Sequence, residues 1–285
     1  MSDKMSLRLF QYGEQWITYG DILNALKEVD ADKCDVLLLH TAMEFGALSR
    51  DMKRREMCEI MYELIRQLGV KTLVFPTFSF SFANKEDYDV RQSKSKMGML
   101  NEYIRKQEEA VRSLDPLMSV CVIGENKALA EVSGDSSLGE GGFFDRLHKT
   151  PNARIAFLGV DEIICNTHLH YVEEQLQVPY RYHLAMSGKI TDYEGNVVDK
   201  EQKLFVTYKH VTPGANRAFY DELTEKGQMK KVYLGGSSVS CFKEADVYAL
   251  EKQYLQRDIN SFLVEPYDKY PLIKEFTYGG VDSVR

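Results

Sequence analysis

At 285 residues with a formal net charge of −7, the chain is long enough to bury a substantial core and lacks the basic excess expected of a nucleic-acid binder. No stretch reaches the uncharged apolar length of a membrane span, so neither a nucleic acid nor a membrane is an expected partner. The five cysteines (Cys34, Cys58, Cys121, Cys165, Cys241) stand singly with no C-x-x-C pair, which argues against a disulfide framework or a cysteine-rich zinc site.

The opening MSDKMSLRLFQYGEQW has no apolar stretch followed by a small-residue cleavage site, so a cytoplasmic location is expected. ITYGDILNALKEVDADKCDVLLLH reads as a helix and then a strand. Thr18 and Asp21 have capping-box spacing, Ile22, Leu23 and Leu26 form an apolar stripe, and VLLLH (36–40) is the continuous run of a strand covered on both faces. Basic RDMKRRE (50–56) opens the next helix as a solvated flank. There Met57, Ile60, Met61, Leu64, Ile65 and Leu68 repeat at helical spacing up to Gly69, and TLVFP (72–76) is a second buried strand. This order predicts parallel strands in a layered α/β domain.

A long charged insert, SFSFANKEDYDVRQSKSKMGMLNEYIRKQEEAVRSLDP, then leaves a strand end, where ligands collect in open α/β sheets. VCVIG (120–124) and RIAFLGV (154–160) add apolar runs. KITDYEGNVVD reads as a hairpin turning at Glu194-Gly195, KLFVTYKHV continues strand-like, and ADVYALEKQYLQRDINSFL is a late amphipathic helix. With no repeat or low-complexity linker, residues 1–285 are expected to form one domain.

The segment NTHLHYVE (166–173) decides the chemistry. Thr167, His170 and Glu173 follow T-x-x-H-x-x-E, so on a helix His170 and Glu173 share a face at i, i+3, where a carboxylate can orient an imidazole general base. A structural histidine in a polar turn fits the same residues. Metal is the weaker reading, because His168 and His170 are two apart and point to different sides of a helix. GGSSVS (235–240) lacks the G-x-S-x-G pattern, and neither a P-loop nor a G-x-G-x-x-G follows a strand. Two segments suit phosphate or pantetheine. One is LLLHTAMEFGALS, with His40, Thr41 and backbone amides past a strand; the other is RSLDPLMSV, with an arginine and hydroxyls. Each is equally readable as an ordinary turn.

Together, VLLLHTAMEFGAL, GVKTLVFPTFSF, DYDVRQSKSKMGMLNEYIRKQEEAVRSLDPLMSVCVIG, GGFFDRL, ARIAFLGVDEIICNTHLHYVEE and VPYRY resemble, in order, the aminoglycoside 3-N-acetyltransferase family, over about residues 18–265. The resemblance implies a three-layer α/β/α sandwich around a central, mostly parallel sheet, with long inserts and an added hairpin. It implies acyl-CoA as co-substrate, no metal, a small-molecule amine acceptor, and direct attack with His170 as base. Glu173 or Glu102 would hold the imidazole. His40, Thr41, Ala42 and Met43, together with Arg112, Ser113, Ser119 and Val120, are the implied CoA contacts. Thr77, Asp89, Asp115 and Tyr171 are the candidate substrate-side residues, with Thr77 or the amides of 41–43 as oxyanion donors. Many family members carry histidines where Asp115 and Met118 stand, and H-S-S becomes His40-Thr41-Ala42.

The replaced histidines favour a nucleotide-linked dideoxy amino sugar of surface-polysaccharide biosynthesis as acceptor, ahead of an aminoglycoside antibiotic. An inactive CoA-binding module and a metal hydrolase are lower alternatives, and a homo-oligomer is compatible with the chain.

Overall fold

Successive side chains of the strand Val36–Thr41 enter different clusters. Val36 and Leu38 pack on one face of a sheet, and Leu37 and Leu39 on the other. A strand apolar at every position can only be satisfied this way, with cover on both sides.

The computed structural model describes residues 2–278. A short helix α1 (Ser2–Met5) precedes the antiparallel hairpin of β1 (Arg8–Tyr12) and β2 (Gln15–Thr18). Helix α2 (Tyr19–Glu28) starts on the expected capping box: the Asp21 amide donates to Thr18 Oγ1 at 3.2 Å, and the Thr18 amide to Asp21 Oδ2 at 2.8 Å. Strand β3 (Val36–Thr41) leads through β4 (Ala47–Leu48), which pairs with β1, to α3 (Arg54–Arg66) and β5 (Thr72–Pro76). The long insert holds β6 (Tyr88–Asp89) and α4 (Met99–Ile104) before the chain re-enters the sheet as the edge strand β7 (Val111–Arg112) and then β8 (Val120–Gly124). Then come α5 (Phe143–His148), β9 (Ala153–Leu158), α6 (Glu162–Cys165) and α7 (His168–Gln175). The added hairpin is β10 (Arg181–Thr191) with β11 (Val197–Thr207); α8 (Arg217–Glu225), β12 (Met229–Leu234), β13 (Ser237–Lys243) and α9 (Glu244–Arg257) complete the set.

The central sheet has seven strands in the order β12-β13-β9-β3-β5-β8-β7. Its middle ladders, β9 with β3 and β3 with β5, are parallel, and the outer ladders are antiparallel. In direction the sheet is still mostly parallel: β12, β9, β3, β5 and β7 run one way, and β13 and β8 the other. β3 and β5 are linked by a helical crossover, which parallel neighbours require, whereas the insert after β5 returns β8 antiparallel.

One face is covered by α2, α3 and α4 through Ile22, Leu26, Met57, Met61, Leu64 and Leu100. The other is covered by α5, α7, α8, α9 and the hairpin, through Phe143, Val172, Phe219, Val247 and Leu204. This is the three-layer sandwich expected from the sequence.

Candidate active site

At the carboxyl ends of β3, β5 and β9 the chain leaves the sheet three times around a cavity of about 350 Å³. After β3 it is walled by His40, Thr41 and Ala42, and after β5 by Phe78 and Phe80. Residues 163–167, Leu169, His170 and Glu173 wall it after β9, and Leu204 and Phe205 come from the hairpin. Lys96, Met97, Gly98 and Asn101 reach it from the long insert, so that insert does border the ligand space. Clefts at parallel strand ends are where α/β folds gather ligands.

Local geometry fixes each wall. His40 is buried and stacks on Phe157, its register partner on β9, with ring centroids 5.0 Å apart and planes 7° apart. Thr41 Oγ1 donates to Asn101 Oδ1 at 2.9 Å, and Asn101 Nδ2 donates to Pro76 O at 2.8 Å, tying two strand ends to α4. After β9, Gly159 adopts φ +66°, and a Cβ there would lie 2.9 Å from the backbone of Met43, so the turn into α6 needs glycine.

Helix α7 carries the dyad. His170 Nδ1 lies 2.8 Å from Glu173 Oε2, one turn along the same face, and the ring is only 12% exposed. Tyr180 donates its hydroxyl to Glu173 Oε1 at 2.8 Å. Arg181 closes the group: Nε is 2.8 Å from Glu173 Oε2, Nη2 is 3.0 Å from His170 Nδ1, and Nη1 donates to Phe205 O at 3.0 Å. The Nε–H is poorly aligned on the carboxylate, so that contact is an ion pair and not a hydrogen bond. Burial pushes the Glu173 carboxyl up, but the Arg181 charge and the His170 and Tyr180 hydrogen bonds outweigh it and hold the carboxyl below its usual range. An ionised Glu173 assigns the Nδ1 proton: Nδ1–H donates to the carboxylate, Arg181 cannot donate to the same nitrogen, and Nε2 carries the lone pair. A neutral imidazole fixed in this tautomer on a cavity wall can accept a proton from a bound nucleophile.

The other histidine of the motif faces the opposite way. His168 is fully buried between Glu251 Oε2 (2.7 Å from Nδ1) and Glu244 Oε1 (2.9 Å from Nε2), both on α9. Burial pulls its pKa down, yet the two carboxylates prevail and raise it to about 9. His148 Nδ1 also contacts Glu244, at 2.9 Å. Among the described residues, no group of three or more His, Cys, Asp or Glu side chains is arranged to hold a metal ion.

Several expected site residues lie elsewhere. Glu102 does not orient the imidazole: Arg105 and Lys106 hold its carboxylate from i+3 and i+4, at 2.7 and 2.9 Å. Arg112 does not line the cavity: its guanidinium is buried and engaged by Ser119 Oγ (3.1 Å), Ser93 O (2.5 Å) and Thr77 O (2.7 Å). Ser113, Ser119 and Val120 are sealed around it; Ser113 Oγ accepts the Val120 amide at 3.0 Å. Thr77 Oγ1 is turned to Ser119 O at 3.1 Å and is unavailable to an oxyanion. The Ala42 amide continues the ladder to Leu158 O at 3.2 Å, and Met43 packs on Gly159 outside the cavity wall. Asp89 caps the Arg91 and Gln92 amides, and Tyr171 is buried near Asp145, so neither borders the cavity. Asp115 is buried too, accepting the Leu117 and Met118 amides and the Ser137 hydroxyl; its neighbour Met118 reaches the cavity instead.

Tyr180 and Arg181, within VPYRY, and Asn166, at the head of NTHLHYVE, reach the site without any local spacing that signals it. The alternating F-S-F-S-F was a readable sign of the aromatic wall made by Phe78 and Phe80.

The aminoglycoside 3-N-acetyltransferase family model matches residues 49–256, more than half of the chain. The chain belongs to this family. It is accordingly an acyl-CoA-dependent N-acyltransferase. No curated protein matches the sequence. Among solved structures, the YokD protein from Bacillus subtilis superposes with a TM-score of 0.69 at 18% identity, covering 90% of this chain and 98% of that one. AAC-IIIb, in a binary complex with CoASH, gives 0.66 at 15% identity over 85% and 97%. AAC-VIa, bound to sisomicin, gives 0.68 at 14% over 85% and 98%. At these identities the likeness is one of fold.

Proposed function

We propose that the chain transfers an acetyl group from acetyl-CoA to an amine of an aminoglycoside-type acceptor, with His170 as general base and Glu173 and Arg181 fixing its tautomer and position. The observation that carries the reading is the 2.8 Å contact of His170 Nδ1 with a buried carboxylate, on the wall of a cavity at the strand ends. The acceptor amine attacks the thioester carbonyl while His170 Nε2 takes its proton. The tetrahedral intermediate then collapses, the C–S bond breaks, and the departing thiolate takes the proton back from the imidazolium. The products are an amide and free CoA thiol, with no covalent enzyme intermediate. The His40–Ala42 wall is the part of the expected CoA segment that still faces the ligand space, whereas the Arg112 cluster braces the fold behind it.

The sequence preference for a nucleotide-linked sugar rested on the replaced histidines. One of them, Asp115, is a buried cap on two amides and touches no ligand space, so it says nothing about the acceptor. Family membership, and a fold relative that binds sisomicin, favour the aminoglycoside class instead.

The test is thiol release from acetyl-CoA with sisomicin, other aminoglycosides and nucleotide-linked amino sugars as acceptors. Turnover with aminoglycosides, abolished in His170→Ala with CoA binding kept, is expected. Turnover confined to nucleotide-linked sugars would move the enzyme back to polysaccharide biosynthesis.

A further inference from the structure

Asn166 stands at the head of the motif, four residues before His170, and lines the same cavity. It is more than nine-tenths buried, and its two amide ends have different fates. Nδ2 donates to Glu251 Oε1 at 2.7 Å. Oδ1 is buried and has no hydrogen-bond partner. The orientation is fixed by chemistry: a carboxylate only accepts, so the NH2 end must face Glu251 and the carbonyl must face away. Glu251 is itself held by His168 Nδ1 at 2.7 Å, and His168 by Glu244 at 2.9 Å. The amide is thus locked by a relay anchored in α9, and it cannot turn over without breaking that relay. A buried carbonyl left unpaired costs stability; this one is closed to water beside Tyr220 in a residue that borders the cavity, and the cost is relieved when a bound ligand shifts that wall and supplies the donor.

Resting on the proposed function, we infer that Asn166 is an acceptor-recognition residue, whose Oδ1 accepts a hydrogen bond from an ammonium or hydroxyl group of the amine substrate, and that Glu251 is the positioning residue that aims it. The acceptor is assigned, and not the amides of the CoA pantetheine arm, because Asn166 caps the end of α6 just ahead of α7, where its backbone carbonyl accepts the Leu169 amide at 3.4 Å, and so enters the cavity wall beside the base. The reacting amine must sit at His170, so its neighbouring donors fall within reach of Asn166. Lost recognition of one such donor raises KM for the acceptor and leaves CoA binding alone.

The experiment compares wild type with Asn166→Leu, which keeps the volume and deletes the carbonyl. Steady-state kinetics with sisomicin and a set of mono- and polyamino sugars would be joined to calorimetric CoA binding. The expected result is a rise of about tenfold or more in acceptor KM, the scale of one hydrogen bond to a charged group, with CoA affinity within about twofold of wild type. Glu251→Gln is the second variant, in case Asn166→Leu folds poorly; it frees the amide to flip and is expected to raise acceptor KM by a few fold, again without weakening CoA. Weaker CoA binding with unchanged acceptor KM would assign the carbonyl to the pantetheine arm and overturn the inference, as would no change in either constant. A wild type that binds CoA yet acetylates no amine would overturn the proposed function itself, and this inference with it.

Discussion

Helix α7 carries two buried histidine–carboxylate assemblies two residues apart, and they are built for different ends. On the cavity side His170 meets one carboxylate, Glu173, whose charge is shared with Arg181. On the sealed side His168 meets two, Glu251 and Glu244, the second of which is shared with His148. The first arrangement divides one buried carboxylate between an imidazole and a guanidinium and leaves the ring on the cavity wall, the placement that the proposed base requires. The second makes imidazolium the stable form and turns the histidine into a strut between α7 and α9. The count of carboxylates, the presence of one arginine and access to the cavity separate the two sides, one suited to the proposed base and one to a brace.

The largest effect is expected on the brace. His168→Leu leaves Glu244 and Glu251 buried without their cation, and unfolding free energy should fall by about 3–5 kcal/mol in denaturant titration. A loss of well under 1 kcal/mol would break the distinction between the two sides. Next comes His170→Ala, expected to lower kcat by roughly a hundredfold or more while the unfolding midpoint and CoA affinity stay near wild type. Near-normal turnover would remove His170 from its role.

A pH series sharpens the contrast. His168 has a folded pKa of about 9 against an ordinary value of 6.5, so its stabilisation is complete below about pH 6.5 and fades as pH rises through 9. Glu173 is displaced downward, so its contribution is present at neutral pH and is lost on acidification through the folded value. Thermal melts should therefore decline on the alkaline side, and Glu251→Gln or His168→Leu should flatten that limb specifically. The smallest effect is a control far from both sides: Thr18→Ala removes the α2 cap, costing about 1 kcal/mol in the same denaturant titration, with kcat unchanged.

Much of this was legible in the sequence. The strands, the capping box at Thr18 and the dyad all follow from local spacing, which is what short-range sequence patterns encode. The place of Arg112 is not legible, because an arginine that meets a phosphate and one that meets Thr77 O and Ser93 O look identical until the loop closes. The pairing of Glu102 does have a sequence signal, since Arg105 and Lys106 stand at i+3 and i+4. Arg181 lies beyond the end of α7, at the start of another strand, and its approach to His170 is a property of tertiary packing. The two roles within NTHLHYVE also required α9, more than seventy residues later, to be in place.

The Arg112 knot also bears on how the wall of the cavity opens. One guanidinium gathers carbonyls from Thr77 and Ser93, and the backbone N–H of the same residue donates to Tyr193 in the hairpin turn. The insert is therefore stitched to segments that lie far apart along the chain, at Arg112 and again at Asn101. Its amides should exchange with solvent together, as one cooperative unit, and not fray from the tip inward. Hydrogen exchange would register residues 77–119 opening in a single step.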